Sequence, residues 1–198
     1  MFQRNIMSQE QQALELFQDW YQQAQKKDPE FYNAMNLATA NKKAQVHSRI
    51  VLLKKHSPEG FVFYTNLGSQ KAGDLLENPV AALCFFWPSL AKQVRIEGKL
   101  SPVSEHEADA YFASRNRESQ IGAWASQQSK ECHEGELEKR FLDLQERFKQ
   151  QEIPRPEFWG GFCLKADRYE FWQEGKHRLH TRYQFNRANN WLKTKLFP

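Results

Sequence analysis

The chain has 198 residues, of which 40% are hydrophobic and 14% aromatic, a composition that excludes a disordered protein and fits one domain over residues 1–198. The formal net charge is +4, from 28 lysines and arginines against 24 acidic residues. No run of lysine and arginine is longer than two, so we expect no nucleic-acid partner.

The three cysteines, Cys84, Cys132 and Cys163, are far apart in the sequence, which favours reduced thiols over a disulfide framework. No set of histidines, cysteines and carboxylates has metal-ligand spacing, so no metal site is expected. No apolar run is long enough to span a membrane, and the first twelve residues lack a signal-peptide pattern. We therefore expect a cytoplasmic protein without a membrane partner.

The first half of the chain combines one helix with several extended runs. Residues 8–27 predict an amphipathic helix within an N-terminal segment 1–30, and Ser8 with Gln11 fits a capping box. A second, short helix is predicted over residues 69–78, where Asn78 and Pro79 end it. Extended runs bounded by turn residues cover 34–41, 47–55, 60–66, 80–87 and 91–103.

The second half begins with helices and ends with strands. Helical patterns cover residues 104–115, 118–126 and 134–150, and a proline-rich connector follows at 153–161. Extended runs at 162–168, 169–175, 177–185 and 190–197 close the chain. We predict an α+β fold of mainly antiparallel β structure, barrel-like from residue 34 to 198, with flanking helices.

The strand segment RIVLLK, residues 49–54, carries a cation on each of its two faces. Alternation places Arg49 with Val51 and Leu53, and it places Lys54 with Ile50 and Leu52. A charge inside an apolar strand needs an anionic partner or access to water. Both explanations remain open for this strand, because strand ends can extend their cations into solvent.

The turn in FYTNLGSQK, residues 63–71, predicts a phosphate site. A strand ends at Tyr64 and Thr65, and a helix begins after Ser69 with Lys71 in its first turn. Free N–H groups at a helix N-terminus suit a phosphate, whereas a lysine there opposes the helix dipole unless an anion lies between them. The alternative is an ordinary helix start with a solvated lysine.

A second candidate phosphate site lies in residues 111–129. Tyr111 and Arg115 are four residues apart and share a helix face, and Ser119 follows. A phenol, a guanidinium and a hydroxyl together suit a phosphate monoester. The alternative is that Arg115 is a solvated cation at a helix end.

The segment EGKHRLHTR, residues 174–182, follows the aromatic run YEFWQ. If this chain is extended, Arg178, His180 and Arg182 line one strand face beside Trp172. Arginine can stack on a flat ring, and His180 is a candidate general base or hydrogen-bond donor. Two phosphate sites and this strand together predict two flat phosphorylated ligands, a cofactor and a substrate.

Five segments, RIVLLK, FYTNLGSQK, SRNRESQIGAWASQQS, FWGGF and EFWQEGKHRLHTR, resemble the pyridoxine/pyridoxamine 5'-phosphate oxidases. The resemblance runs from about residue 34 to the C-terminus and implies a homodimeric, FMN-binding split β-barrel. It implies that pyridoxine or pyridoxamine 5'-phosphate is oxidised to pyridoxal 5'-phosphate. Oxygen accepts the electrons and becomes hydrogen peroxide, and the amine substrate also releases ammonia.

The resemblance also assigns residues to the two ligands. It implies FMN contacts at Arg49, Ile50, Val51, Leu52, Leu53, Lys54, Tyr64, Thr65, Gln70, Lys71, Gln93, Gln128, Ser129, Trp172 and Arg182. It implies substrate contacts at Lys54, Tyr111, Arg115, Ser119, Arg178, Leu179 and His180. Arg178 and His180 are the implied catalytic residues, first as orienting and electrostatic groups and second in proton transfer. Gln128 and Ser129 are expected to reach FMN from the other subunit.

Several positions depart from the common family pattern. Gln70 replaces an arginine, Asn116 a proline and Lys195 an arginine, and the basic segment before the first helix is shortened to MFQRNIM. These departures leave two alternatives to the oxidase. One is a related flavin oxidoreductase with another substrate, and the other is a non-catalytic protein of the same fold that binds pyridoxal phosphate or flavin.

Overall fold

The computed structural model describes residues 8–198, so the shortened basic segment MFQRNIM, residues 1–7, lies outside the described part. The helices are α1 Gln9–Lys27, α2 Gln70–Glu77, α3 Glu105–Ala113, α4 Arg117–Ala125 and α5 Glu136–Arg147. The strands are β1 Ala34–Ala40, β2 Val46–Leu52, β3 Lys55–Ser57, β4 Gly60–Asn66, β5 Val80–Trp87, β6 Lys92–Pro102, β7 Trp159–Gln173, β8 Thr181–Asn186 and β9 Leu192–Leu196. Short 3₁₀ turns occupy Pro88–Leu90, Lys176–Arg178 and Arg187–Asn189.

The nine described strands form one antiparallel sheet that curls into a half-barrel. The main order is β2-β1-β5-β6-β7-β4-β3, and β8 and β9 extend the sheet from β7. The 15-residue strand β7 pairs with β4 over its first part and with β8 over its last part, and it pairs with β6 along most of its length. This architecture confirms the predicted α+β class with a mainly antiparallel barrel and flanking helices.

The strand boundaries of the second half differ from the prediction. The two runs at 162–168 and 169–175 form one strand, β7, which already begins at Trp159 inside the predicted connector. The register between β6 and β7 shifts between Glu97 and Gly98. A Cβ at Gly98 would lie 2.0 Å from the Lys165 carbonyl oxygen, so the close approach of the two strands requires glycine here.

The predicted strand at 177–185 is wrong in its first four residues. Strand β8 begins at Thr181, whereas Lys176–Arg178 is a 3₁₀ turn in which His177 and Arg178 have φ values of 56° and 64°. These left-handed conformations break the alternation of side chains. Arg178 therefore does not share a strand face with His180 and Arg182, which corrects that prediction.

Helix α1 closes the main core. The predicted capping box is confirmed, because Ser8 Oγ accepts from the Gln11 backbone and the Gln11 side chain accepts from the Ser8 backbone. Phe17 is fully buried, with ring centroids 5.0 Å from Phe61 and 5.3 Å from Phe85. The buried face of this helix comprises Ala13, Leu14, Phe17, Trp20 and Ala24. Within residues 8–198, no helix is both long and apolar enough to cross a bilayer.

A second, smaller core forms under the three central helices. It comprises Phe112, Ile121, Phe148, Ile153 and Trp159. Trp159 belongs to this core and opens β7, so it fixes α3 and α4 against the sheet. A cavity lies between α2, α3, α4 and strands β2 and β4.

Candidate active site

A cavity of about 1210 Å³ opens between β2, β4 and helices α2 to α4. No aspartate or glutamate is among its lining residues, whereas Arg49, Lys54, Lys71 and Arg115 all line it. The cavity therefore favours anionic ligands. The predicted site residues that line it are Arg49, Ile50, Val51, Leu52, Lys54, Tyr64, Thr65, Gln70, Lys71, Tyr111, Arg115, Ser119, Gln128 and Ser129.

Lys71 is the most enclosed cation of this cavity. Only 7% of the residue is exposed, and its Nζ donates to Thr65 Oγ1 (3.2 Å), Ser69 Oγ (3.2 Å) and Gln128 Oε1 (2.7 Å). Burial, and secondarily the positive charge of Arg49, lower the pKa of Lys71 to about 8. These three acceptors are neutral, so Lys71 has a charge that an anion in the cavity would neutralise.

Arg49 is held in place by the neighbouring strand β1. Alternation along β2 turns Arg49 inward and leaves Ile50 64% exposed. The Arg49 Nη1 group donates to Thr39 Oγ1 (2.8 Å) and to the Leu37 carbonyl (3.2 Å). Its Nη2 lies 4.0 Å from Asp74 Oδ2 behind the cavity wall. The first explanation for a cation on this strand, an anionic partner, therefore applies to Arg49.

A stack of aromatic rings forms another wall of the cavity. The Tyr64 and Tyr111 ring centroids are 4.0 Å apart with an interplanar angle of 9°, and the Trp159 centroid lies 5.2 Å from that of Tyr64 and 6.1 Å from that of Tyr111, with its plane nearly parallel to both. Burial, with smaller contributions from Glu107 and Tyr111, raises the pKa of Tyr64 to about 12. Tyr64 is thus a neutral hydrogen-bonding group at physiological pH.

Arg115 lies against this wall with part of its guanidinium unsatisfied. Its Cζ is 5.0 Å from the Trp159 ring centroid, and its buried Nη1 has no hydrogen-bond partner among the described residues. Burial lowers the pKa of Arg115. A buried donor without a partner is costly, so this group fits an anionic ligand.

Ser119 and Asn116 complete this side of the cavity at the start of α4. Asn116 Oδ1 accepts from the Ser119 backbone N–H at 2.8 Å and caps the helix. Asparagine suits this position because its side-chain oxygen satisfies a free N–H group of the first turn.

The remaining predicted site residues do not line this cavity. Strand pairing sets Gln93 opposite Trp172, and Trp172 opposite Arg182, on the neighbouring strands β6, β7 and β8. Arg182 donates to Glu170 Oε1 at 2.8 Å and to the Phe197 carbonyl at 2.9 Å. These residues, together with Arg178, Leu179 and His180, form a separate C-terminal cluster.

A tight turn organises the C-terminal cluster. The Gly175 N–H donates to His180 Nδ1 at 3.2 Å, and the His180 ring centroid is 4.8 Å from that of Trp172. A Cβ on Gly175 would lie 2.0 Å from the Leu179 carbonyl oxygen, so the turn requires glycine. Arg178 and Leu179 remain exposed, which leaves them free to contact a ligand.

The structure places three predicted contact residues differently from the expectation. Leu53 is 1% exposed and packs in the main core, so its side chain does not line the cavity. Gln128 was expected to act from the other subunit, but its Oε1 contacts Lys71 and Thr65 of the same chain at 2.7 and 3.1 Å. Ser129 Oγ likewise accepts from the Gln70 backbone N–H at 3.4 Å.

The sequence interpretation missed His47 and Asp74. His47 lines the cavity, and Asp74 lies buried behind it with its Oδ2 3.0 Å from His47 Nδ1. The pattern carried one signal, because His47 is two residues before Arg49 and so shares its strand face. Asp74 gave no such signal, since its role depends on the packing of α2 against β1 and β2.

Comparison with known families covers nearly the whole chain. Residues 22–145 match the family described as pyridoxamine 5'-phosphate oxidase. The chain belongs to the pyridoxamine 5'-phosphate oxidase family. Residues 159–198 match the C-terminal dimerisation region of pyridoxine 5'-phosphate oxidase, so every residue of the C-terminal cluster except Gln93 lies in a region through which this family forms homodimers.

Individual members of the family are similar over most of their length. The pyridoxine/pyridoxamine 5'-phosphate oxidase of Sphingopyxis alaskensis is 50% identical over 187 residues, which cover 93% of this chain and 87% of the relative. The oxidase of Zymomonas mobilis is 46% identical and covers 92% and 96% of the two chains. The solved structure of PhzG from Burkholderia lata, in complex with tetrahydrophenazine-1-carboxylic acid, has a TM-score of 0.90. It is 27% identical and covers 100% of this chain and 98% of its own.

Proposed function

We propose that the chain oxidises pyridoxine 5'-phosphate or pyridoxamine 5'-phosphate to pyridoxal 5'-phosphate as a homodimer. The cofactor of this oxidoreductase family is a flavin, and we propose FMN in particular. Oxygen is the electron acceptor and yields hydrogen peroxide, and the amine substrate also releases ammonia. The observation that carries the proposal is one carboxylate-free cavity with two sets of cations, joined by an aromatic wall.

The first set of cations fits the phosphate of FMN. Lys71 and Arg49 line the cavity, and Gln128 and Ser129 lie in the same chain beside the first turn of α2. The low pKa of Lys71 reflects a buried charge without an anion, and a phosphate would supply that anion. FMN carries such a group and is large and flat enough to use the remaining cavity.

The second set of cations fits the phosphate of the substrate. The unsatisfied Nη1 of Arg115 would donate to a phosphate oxygen, with Tyr111, Ser119 and Lys54 as further donors. Arginine suits this task because its planar fork matches two oxygens of a phosphate. The stacking of Arg115 on Trp159 holds the fork in place.

The C-terminal cluster is proposed to act on the cavity of the other subunit. Strand β2 is an edge strand of the described sheet, and its Val46 and Ile50 are 71% and 64% exposed. Exposed apolar residues on an edge strand need a partner surface. In a dimer, Gln93, Trp172 and Arg182 of the second subunit would contact FMN, and Arg178 and His180 would contact the pyridine ring.

The residues of the protein then place the substrate and protect it from water. FMN, when bound, supplies the hydride acceptor. Arg178, which is exposed on its turn, holds the pyridine ring by charge and by stacking on its face. His180 Nδ1 accepts from Gly175, so the neutral ring carries its proton on Nε2 and donates from there. Holding the reacting atoms in position is the main contribution of these side chains.

The two alternatives from the sequence have less support. PhzG, a similar protein of solved structure, is described with a bound carboxylic acid, but its identity to this chain is 27% against 50% for a curated oxidase of vitamin B6 phosphates. The phosphate-binding residues Tyr111, Arg115 and Ser119 are all present here. A non-catalytic carrier is supported only by Gln70 and by the short segment before the first helix.

Purified protein tests the proposal directly. We expect a yellow protein whose flavin absorbance returns when FMN is added to the stripped chain. Pyridoxamine 5'-phosphate should release hydrogen peroxide, whereas pyridoxamine without its phosphate should react far more slowly. A colourless protein that FMN cannot reconstitute would refute the proposal, and equal rates with both amines would refute the phosphate clamp.

Two sequence-based expectations belong with this proposal. A cytoplasmic location suits an enzyme that acts on phosphorylated vitamers, and it stays a prediction. The interpretation of residues 1–198 as one domain also stays a prediction, although α1 and the strands share the main core.

A further inference from the structure

His47 lies in the cavity wall between two groups that hold both of its ring nitrogens. Its Nδ1 is 3.0 Å from Asp74 Oδ2, and its Nε2 is 3.0 Å from Gln70 Nε2. His47 and Gln70 line the cavity, whereas Asp74 lies behind it with 5% exposure. The nitrogen that faces the ligand space is therefore Nε2.

Asp74 is an anchor for cations beside the phosphate-binding residues. Its Oδ2 accepts from Thr39 Oγ1 on β1 at 2.6 Å and lies 3.0 Å from His47 Nδ1 on β2. Arg49, also on β2, is the second cation near this carboxylate, with its Nη2 4.0 Å away. A buried carboxylate requires such partners, because leaving it unpaired is costly.

The groups in contact with His47 or with its partner Asp74 lie on three elements, β1, β2 and α2. On β2 the neighbour is Arg49, on β1 it is the neutral Thr39, and on α2 they are Asp74 and the neutral Gln70. One carboxylate thus faces two candidate cations, and Gln70 adds no charge. Beside Arg49 and Lys71, a further positive charge at this wall would come from His47.

Protonation changes what His47 offers to the cavity. In the neutral ring, Nδ1–H donates to Asp74, and Nε2 accepts from the Gln70 amide. In the cationic ring, Nε2 carries a proton and becomes a donor, while Nδ1 still donates to Asp74. A phosphate oxygen is a stronger acceptor for that new donor than a neutral amide.

We propose that protonated His47, anchored by Asp74, is a third cationic contact for the phosphate of the cofactor, beside Lys71 and Arg49. The inference rests on the proposed function, because it assigns one more residue to the phosphate end of the same site. Its consequence is that the chain holds FMN more tightly at a pH where His47 is charged.

The test compares FMN dissociation constants of the full-length wild-type protein and the His47→Gln variant, after removal and re-addition of flavin. Binding is followed by quenching of flavin fluorescence at pH 6 and pH 8. The phosphate of FMN itself also changes its ionisation near pH 6. The ratio of the variant to the wild-type dissociation constant removes that effect. We expect a ratio of about ten at pH 6 and close to one at pH 8.

Two controls separate the phosphate contact from general damage. Riboflavin, which lacks the phosphate, should bind equally to wild type and His47→Gln. The exposed histidine His106, which is not among the residues that line the cavity, provides a matched variant. His106→Gln should leave the FMN constants unchanged at both pH values.

A charge-restoring variant keeps the test decisive if His47→Gln folds poorly. His47→Lys carries a permanent cation, so its affinity for FMN at pH 8 should equal or exceed that of the wild type. A ratio near one at both pH values, or an equal loss of riboflavin and FMN binding, would overturn the role of His47 alone. Failure of the wild type to bind either flavin would instead overturn the proposed function.

Discussion

The phosphate end of the cavity and the C-terminal cluster differ in how complete they are within one chain. At the phosphate end, Lys71 is 7% exposed and has three acceptors, and Arg49 is fixed by β1. In the C-terminal cluster, Leu179 is 73% exposed and Arg178 is exposed on a turn with left-handed backbone. The first region has its hydrogen-bond partners within its own chain, whereas the second presents side chains that no part of residues 8–198 covers.

This difference indicates a division of roles between the two regions, one for the cofactor and one for the substrate. A buried network that is already formed suits a cofactor that stays bound, because little has to be ordered when it binds. Exposed residues in a dimerisation region suit a substrate that enters and leaves, because in the proposed dimer the second subunit would bring them to it. The following experiments test that division, from the largest expected effect to the smallest.

Arg178→Ala should separate turnover from cofactor binding most strongly. Loss of the group that positions the pyridine ring should lower kcat/KM for pyridoxamine 5'-phosphate about 100-fold, with little change in FMN content. Peroxide release and flavin absorbance measure the two quantities. Lys176→Ala, an exposed cation two residues away, is the matched control and should keep its activity. An equal fall in FMN content would contradict the division.

Lys71→Met should have the opposite effect. Removal of the buried ammonium should weaken FMN binding about 30-fold, because charge-assisted hydrogen bonds are lost. Turnover per bound FMN should change little, as measured at saturating cofactor. Lys130→Met, at an exposed lysine near the same loop, is the control. A large loss of turnover at full FMN occupancy would mean that Lys71 also serves the substrate.

Mixed dimers of these two variants test whether the two regions meet across subunits. The Arg178→Ala and Lys71→Met homodimers should both be nearly inactive at an FMN concentration that saturates only the wild type. Random co-assembly makes half of the dimers mixed, and each mixed dimer has one site with both residues intact. We expect about a quarter of wild-type activity. No recovery in dimers shown to be mixed would place Lys71 and Arg178 in the same subunit's site.

The pH dependence of FMN binding should report Lys71 directly. The pKa of Lys71 in the free site is about 8, and the phosphate requires the charged form. Affinity should therefore be steady just below pH 8 and fall above it, by up to about tenfold per pH unit. Fluorescence titrations from pH 7.5 to 9.5 measure this. The same slope in Lys71→Met would assign the effect to another group.

Asn116→Ala should have the smallest effect. It removes the cap of α4, which positions Ser119, and should lower the free energy of unfolding by about 1 kcal/mol. Denaturant unfolding measures this loss. The FMN dissociation constant should be unchanged, since α4 carries substrate contacts in the proposed site. A weakened FMN affinity would show that the two regions are coupled through this helix.

Local patterns predicted much of the phosphate end. Strand alternation separated Arg49 from Lys54 onto opposite faces, and the placement of Lys71 followed from a strand, a glycine turn and a helix start. Both depend on neighbours within a few residues, so they can be read from the sequence. The capping box of α1 at Ser8 and Gln11 belongs to the same class.

The same patterns failed where the backbone leaves its regular conformation. Alternation put Arg178 on a strand face with His180, but left-handed φ values at His177 and Arg178 form a turn there. Gly175 is the one local signal for that turn, because its neighbour Leu179 leaves no room for a Cβ. A single glycine does not predict a conformation two or three residues later.

The sequence by itself determined the fold class, the helix starts and the residue types proposed to hold two phosphates, because each follows from short-range periodicity or from motifs that resemble a known family. Only the tertiary structure decided which residues meet. It brought Gln128 to Lys71 in one chain across 57 positions, and it placed Asp74 behind His47 across 27. Such contacts depend on how strands and helices pack, and packing joins residues whose separation in sequence carries no pattern.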